Sequence, residues 1–181
     1  MGQGCVANVN TAQIALRPPN MDAQGIDNDE NIPPLQWHID GMKTQSGAGF
    51  RLLVGVALSE QLLPNSGNLM VFAGSHRILH DMVRAENEVP GSHPFLSQKE
   101  DAGKPELRGG RQILLSAGDA MLLHQKTAHQ VGVNCSPNIR YQIYFRLRHI
   151  DHDAHLADGS VHHGLWRQFG GLDPDEDVDE E

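Results

Sequence analysis

A succession of short β-type runs, cut apart by turn residues, constrains this chain more than any other feature. The runs cover 11–16, 35–40, 51–58, 68–72, 112–115, 120–124, 128–133 and 140–147. Clusters such as Pro64-Asn65-Ser66-Gly67 and Ser136-Pro137-Asn138 separate them, and Pro, Gly and Asn each interrupt a ladder for a backbone reason. With no helix-period pattern between the runs, they predict an all-β double sheet or barrel of jelly-roll type. The 74–110 connection has no convincing strand. It mixes a helical turn near 78–86 with Pro and Gly and reads as a lid or binding loop. A short closing helix is expected over 161–169, with Leu165, Trp166 and Phe169 buried.

At 181 residues with 39% hydrophobic content, the chain is expected to form a single domain over 1–170 with a real core. Formal net charge is −9, and seven acids lie in 173–181, so the body is close to −2 and 171–181 is expected to be a disordered acidic tail. A near-neutral body lacks the basic stripe of a nucleic-acid binder. Cys5 and Cys135 make no disulfide framework and point to a reducing compartment. With no membrane-length apolar run and no signal-peptide start, a cytoplasmic protein without membrane partners is expected. The opening Met-Gly-Gln-Gly-Cys-Val has Val6 where a myristoylation motif wants Ser or Thr.

Two nearly identical tetrads, Trp37-His38-Ile39-Asp40 and Arg148-His149-Ile150-Asp151, place a His and an Asp two apart. On a strand such side chains share a face. A chain with 11 His produces pairs of this kind by chance, so context decides between them. The first copy falls on a predicted strand, and His129 lies 89 residues beyond Asp40 on another. Together they offer the two imidazoles and one carboxylate of a facial triad for non-haem iron, with positions left for oxygen and substrate. His124, five residues earlier, competes for the distal role.

A hairpin around Ser136-Pro137-Asn138 places Arg140 opposite Val133 or opposite Cys135, depending on which two residues turn. In either register Arg140 shares a face with His129, because 129, 133 and 135 have the same parity, so its guanidinium would face the same interior and clamp a carboxylate; a three-residue loop would break this alignment. The second copy lacks such support. His149, His152, His155, His162 and His163 read as surface or end-of-barrel residues.

In order, the runs "WHIDG", "FRLLVGVALSE", "PNSGNLMVFAGSH" and "LLSAGDAMLLHQKTAHQVGVNCSPNIRYQIYFR" resemble the phytanoyl-CoA dioxygenase family, which includes ectoine hydroxylase, over about 11–148. The resemblance implies a double-stranded β-helix, cupin-like, with few short peripheral helices. It implies Fe(II) held by His38, Asp40 and His129, with O2 and 2-oxoglutarate as co-substrates. Arg140 matches the arginine that binds the far carboxylate of 2-oxoglutarate, and Gln13 resembles a glutamine that helps hold it. Arg51 and Gly74-Ser75-His76 match family positions with structural roles. The implied activity is hydroxylation of a small organic molecule at an unactivated C–H bond. Asp40 favours hydroxylation over halogenation, because related halogenases replace that carboxylate. The family usually carries more residues ahead of its His-x-Asp than the 37 here. The chain is therefore expected to be N-terminally short, and a non-catalytic jelly-roll module that binds a metal or ligand is the alternative.

Overall fold

The computed structural model describes residues 4–9, 12–20, 37–41, 49–90, 92, 103–162, 164–169 and 172. Among them the strands are β1 (Ala12–Arg17), β2 (Leu52–Ala57), β3 (Leu69–Phe72), β4 (Gly110–Gln112), β5 (Ala120–His124), β6 (His129–Val131) and β7 (Arg140–Leu147). Helix α1 (Ser75–Glu88) follows β3 and helix α2 (His152–Ala157) follows β7. The strands form two antiparallel sheets, β1-β7-β2-β5 and β4-β3-β6. This is the two-sheet, jelly-roll-type architecture expected from the runs and the double-stranded β-helix that the resemblance implies.

Alternation of side chains along each strand builds two cores. Leu53, Ala57, Leu69, Leu115, Met121, Leu123 and Tyr144 fill the space between the sheets with Phe50. Met70 and Phe72, facing the other way from β3, pack with Trp37, Ile39, Leu79, Val83 and Ala128. Gly55 lets the first core close. A Cβ there would collide with Met121 and crowd Gln142 and Tyr144.

Helix α1 is a correction to the lid expectation. Ser75, Leu79, His80 and Val83 recur at helical spacing and are buried, so this stretch packs as a core helix. Its entry is fixed by Gly74 at φ 82 and by Ser75, whose Oγ donates to Phe72 O at 2.6 Å and accepts from Ala128 N–H at 2.9 Å. The helix start is thereby bonded to the residue before His129. Much of 91–102 lies outside the described residues.

Three further expectations change. Among the described residues of 161–169 no α-helix forms, and a 3-10 turn at Ser160–His162 takes its place. The buried Arg51 guanidinium accounts for this, because it donates to the carbonyls of Val161, Gly164, Leu165 and Arg167, the first three of which a helix would satisfy internally. Phe169 is buried, whereas Leu165 and Trp166 are partly exposed. The 133/140 hairpin does not exist either, since β6 pairs with β3 and β7 with β1 and β2. Asn134 bridges to Ser66 and bonds Arg17 O, Asn138 O and Ser136, which turns the chain from one sheet to the other. Finally, His152 is buried, sharing Gln168 with His155. The acidic segment 173–181 and His163 lie outside the described residues.

Candidate metal centre

Residues 37–41 carry only one bridge, at His38, and turn at Asp40-Gly41, so the predicted 35–40 strand is reduced to a single pairing, with 35–36 outside the described residues. That pairing is informative. His38 N–H donates to His129 O at 2.9 Å and His129 N–H to His38 O at 3.0 Å, the reciprocal exchange of an antiparallel hydrogen-bonded pair. The two imidazoles become cross-strand neighbours, with centroids 4.6 Å apart. Trp37 and Ile39 are buried in the α1 core, which turns His38 and Asp40 together to the opposite side.

Asp40 Oδ1 lies 3.6 Å from His38 Nε2 and 3.8 Å from His129 Nε2. One ligand atom from each of His38, Asp40 and His129 lies within 4.8 Å of the others, the group of three metal-ligating side chains found among the described residues. His129 Nδ1 sits 2.8 Å from Thr127 O. A carbonyl can only accept, so the ring proton is on Nδ1 and Nε2 presents a lone pair toward Asp40. Burial pushes the His129 imidazole down from its ordinary value, keeping it neutral, as a metal ligand must be. Burial alone would raise the Asp40 carboxyl, but His38, His129 and Arg146 outweigh it and bring Asp40 down to about 2. Two imidazoles and an ionised carboxylate form a donor set that fits a divalent transition metal.

Arg146 completes the cluster, donating to Asp40 Oδ2 from Nε at 3.0 Å and from Nη2 at 2.7 Å. The same Nη2 donates to Gln13 Oε1 at 2.9 Å. Gln13 is thus next to the triad, as a partner of Arg146. Arg140 is buried between the sheets, donating from Nε to Gly67 O at 2.8 Å and from Nη1 to Ala15 O at 3.3 Å. Its charge bears on the Tyr144 hydroxyl, which is buried and makes no well-formed hydrogen bond. Burial pushes that hydroxyl up, so it stays protonated. Arg140, Gln142, Tyr144 and Arg146 alternate along β7 and share a face. Of these four only Arg140 is an expected site residue, although parity along a strand points to the rest.

The competitors fall elsewhere. His124 has its Nδ1 accepting from Lys126 N–H at 3.1 Å and its Nε2 against Leu165 O at 3.1 Å, within a ring cluster of His76, Trp166 and Phe169. In the second tetrad His149 Nδ1 accepts from Asp151 N–H at 3.1 Å. Among the described residues no third ligand joins that pair.

No protein-family model matches the chain, and no curated protein sequence does. Among solved structures, EctD from S. alaskensis, crystallised with 2-oxoglutarate and 5-hydroxyectoine, matches at TM-score 0.51 and 16% identity over 82% of this chain and 46% of its own. The apo form of the non-heme monooxygenase ThoJ matches at TM-score 0.49 and 19% identity, over 78% of this chain and 46% of ThoJ. SnoK, a non-heme alpha ketoglutarate dependent carbocyclase from nogalamycin biosynthesis, matches at TM-score 0.48 and 17% identity, over 80% of this chain and 51% of SnoK. The chain therefore spans about half the length of these structures. The EctD likeness establishes the shared fold. Among the described residues no helix is long and apolar enough to cross a membrane.

Proposed function

We propose that this chain is the β-helix domain of an Fe(II)- and 2-oxoglutarate-dependent dioxygenase of the phytanoyl-CoA dioxygenase type, hydroxylating a small organic molecule. The observation that carries this reading is the convergence of one ligand atom from each of His38, Asp40 and His129 within 4.8 Å. Bound iron, with 2-oxoglutarate and O2, supplies the oxidising power to hydroxylate an unactivated C–H bond, releasing succinate and carbon dioxide.

The protein's own part is geometric and electrostatic. The His38/His129 ladder pair fixes two ligands on one rigid element. Arg140 offers more N–H donors than Gly67 O and Ala15 O use, and beside it Tyr144 holds a neutral hydroxyl able to donate. Together they form a buried receptor for the far carboxylate of 2-oxoglutarate. His38, with its side chain 49% exposed, marks the side from which a substrate reaches the ligands.

Succinate release from 2-oxoglutarate, with Fe(II) and ascorbate added, tests the reading. His38→Ala, Asp40→Ala and His129→Ala should abolish it. Arg140→Ala and Tyr144→Phe should raise the KM for 2-oxoglutarate more than they lower kcat, whereas His149→Ala and Asp151→Ala should leave it unchanged. Loss of turnover in His149→Ala with retention in His38→Ala would refute the assignment. Metal and 2-oxoglutarate binding without succinate would favour the non-catalytic module.

A further inference from the structure

We propose that Arg146 is a positioning residue that makes Asp40 a one-oxygen ligand, an inference that rests on the metal-centre reading above. Its guanidinium does not grip the carboxylate by both oxygens. Nε and Nη2 both donate to Oδ2, at 3.0 and 2.7 Å, while Oδ1 faces the imidazoles of His38 and His129 at 3.6 and 3.8 Å. A two-oxygen fork would compete with an ion for the carboxylate. A two-on-one fork instead takes the oxygen that the ion does not need.

The guanidinium is itself held. Gln13 Oε1 accepts from Nη2 at 2.9 Å, and the guanidinium carbon lies 5.7 Å from the centroid of the buried Phe50 ring. Strand β7 runs between β1 and β2, with Arg146 opposite Leu53, so the backbone beneath it is held by β2. Orientation of Asp40 is therefore set from three elements.

The consequence is a count of open positions. Three protein donors leave room for a chelating 2-oxo acid and for dioxygen. A carboxylate that swung to bind through both oxygens would take a place one of them needs. The cation also repels a bound metal, but Arg146 has its side chain 38% exposed, and solvent screens that repulsion. Orientation outweighs repulsion, and this fixes the sign of the effect on metal affinity.

Co(II) titrations followed by visible absorption test the assignment without turnover, using the wild type, Arg146→Gln, Arg146→Lys, Gln13→Leu and Asp40→Ala. Arg146→Gln should bind Co(II) roughly 10–100-fold more weakly, the range for loss of an outer hydrogen bond to a ligand, with altered band shape. Arg146→Lys keeps one N–H to Oδ2 and should recover part of both. Gln13→Leu, at an exposed β1 position, should shift the bands the same way by less. Unchanged bands, or Co(II) binding in Arg146→Gln as tight as or tighter than wild type, would overturn the role of Arg146. Failure of the wild type to bind, or binding by Asp40→Ala at wild-type strength, would overturn the metal centre itself.

Discussion

A single carbonyl, Thr127 O, decides what His129 offers a metal, because it forces the proton onto Nδ1. Asp40 is tuned as tightly, and this has a measurable consequence in the metal-free protein. Its folded value of about 2 lies below the ordinary 3.8. A depressed carboxyl contributes stability that is fully present above the ordinary value and is lost as pH falls toward the folded one. The contribution is about 2 kcal/mol. Urea unfolding of the metal-free protein between pH 6 and pH 2 should show wild type losing about that much more than Asp40→Asn, and equal losses would contradict the electrostatic account. The sequence made His38, Asp40 and His129 legible as a set, because parity and spacing are properties of the chain. It marked Arg146 only by its parity with Arg140 on β7, because the contact with Asp40, 106 residues away, arises through strand pairing.

Among the elements, those with regular alternation were read well and those governed by distant polar contacts were not. Strands β5 and β7 have the limits expected from their runs. Segment 161–169 looked helical from its apolar spacing, but spacing carries no information about Arg51, whose guanidinium holds the carbonyls of Val161, Gly164, Leu165 and Arg167. Arg51 is 0% exposed, so a replacement removes four hydrogen bonds and leaves the buried Val161 carbonyl unpaired at about 1–3 kcal/mol. Arg51→Met should therefore destabilise the protein by more than about 2 kcal/mol and expose 161–169 to limited proteolysis before the sheets unfold. A loss under about 0.5 kcal/mol, with unchanged cleavage, would show that the segment is held by its apolar contacts alone. Helix α1 was seen only as a turn, because Pro and Gly further along the same connection masked its buried stripe.

For the whole molecule, fold class was legible and topology was not. Eight apolar runs with turn residues between them admit few architectures besides two packed sheets. Which strands pair is another matter. The turn at Ser136-Pro137-Asn138 reads as a hairpin by composition, yet Asn134 directs it across the two layers. Runs such as β2, Leu-Leu-Val-Gly-Val-Ala, gave little register information, since the outer face of the same sheet is also apolar, with Ile14, Leu16 and Leu122 exposed. The two-layer arrangement puts Arg140 on β7 and His129 on β6 in different sheets, and both are buried.

That arrangement is tested most directly by a crystal structure of the protein with Mn(II) and 2-oxoglutarate, located by anomalous scattering. The account predicts one strong peak bonded to His38 Nε2, Asp40 Oδ1 and His129 Nε2, with the far carboxylate of 2-oxoglutarate against Arg140 and Tyr144. A peak at His149 and Asp151, or none between His38 and His129, would contradict it.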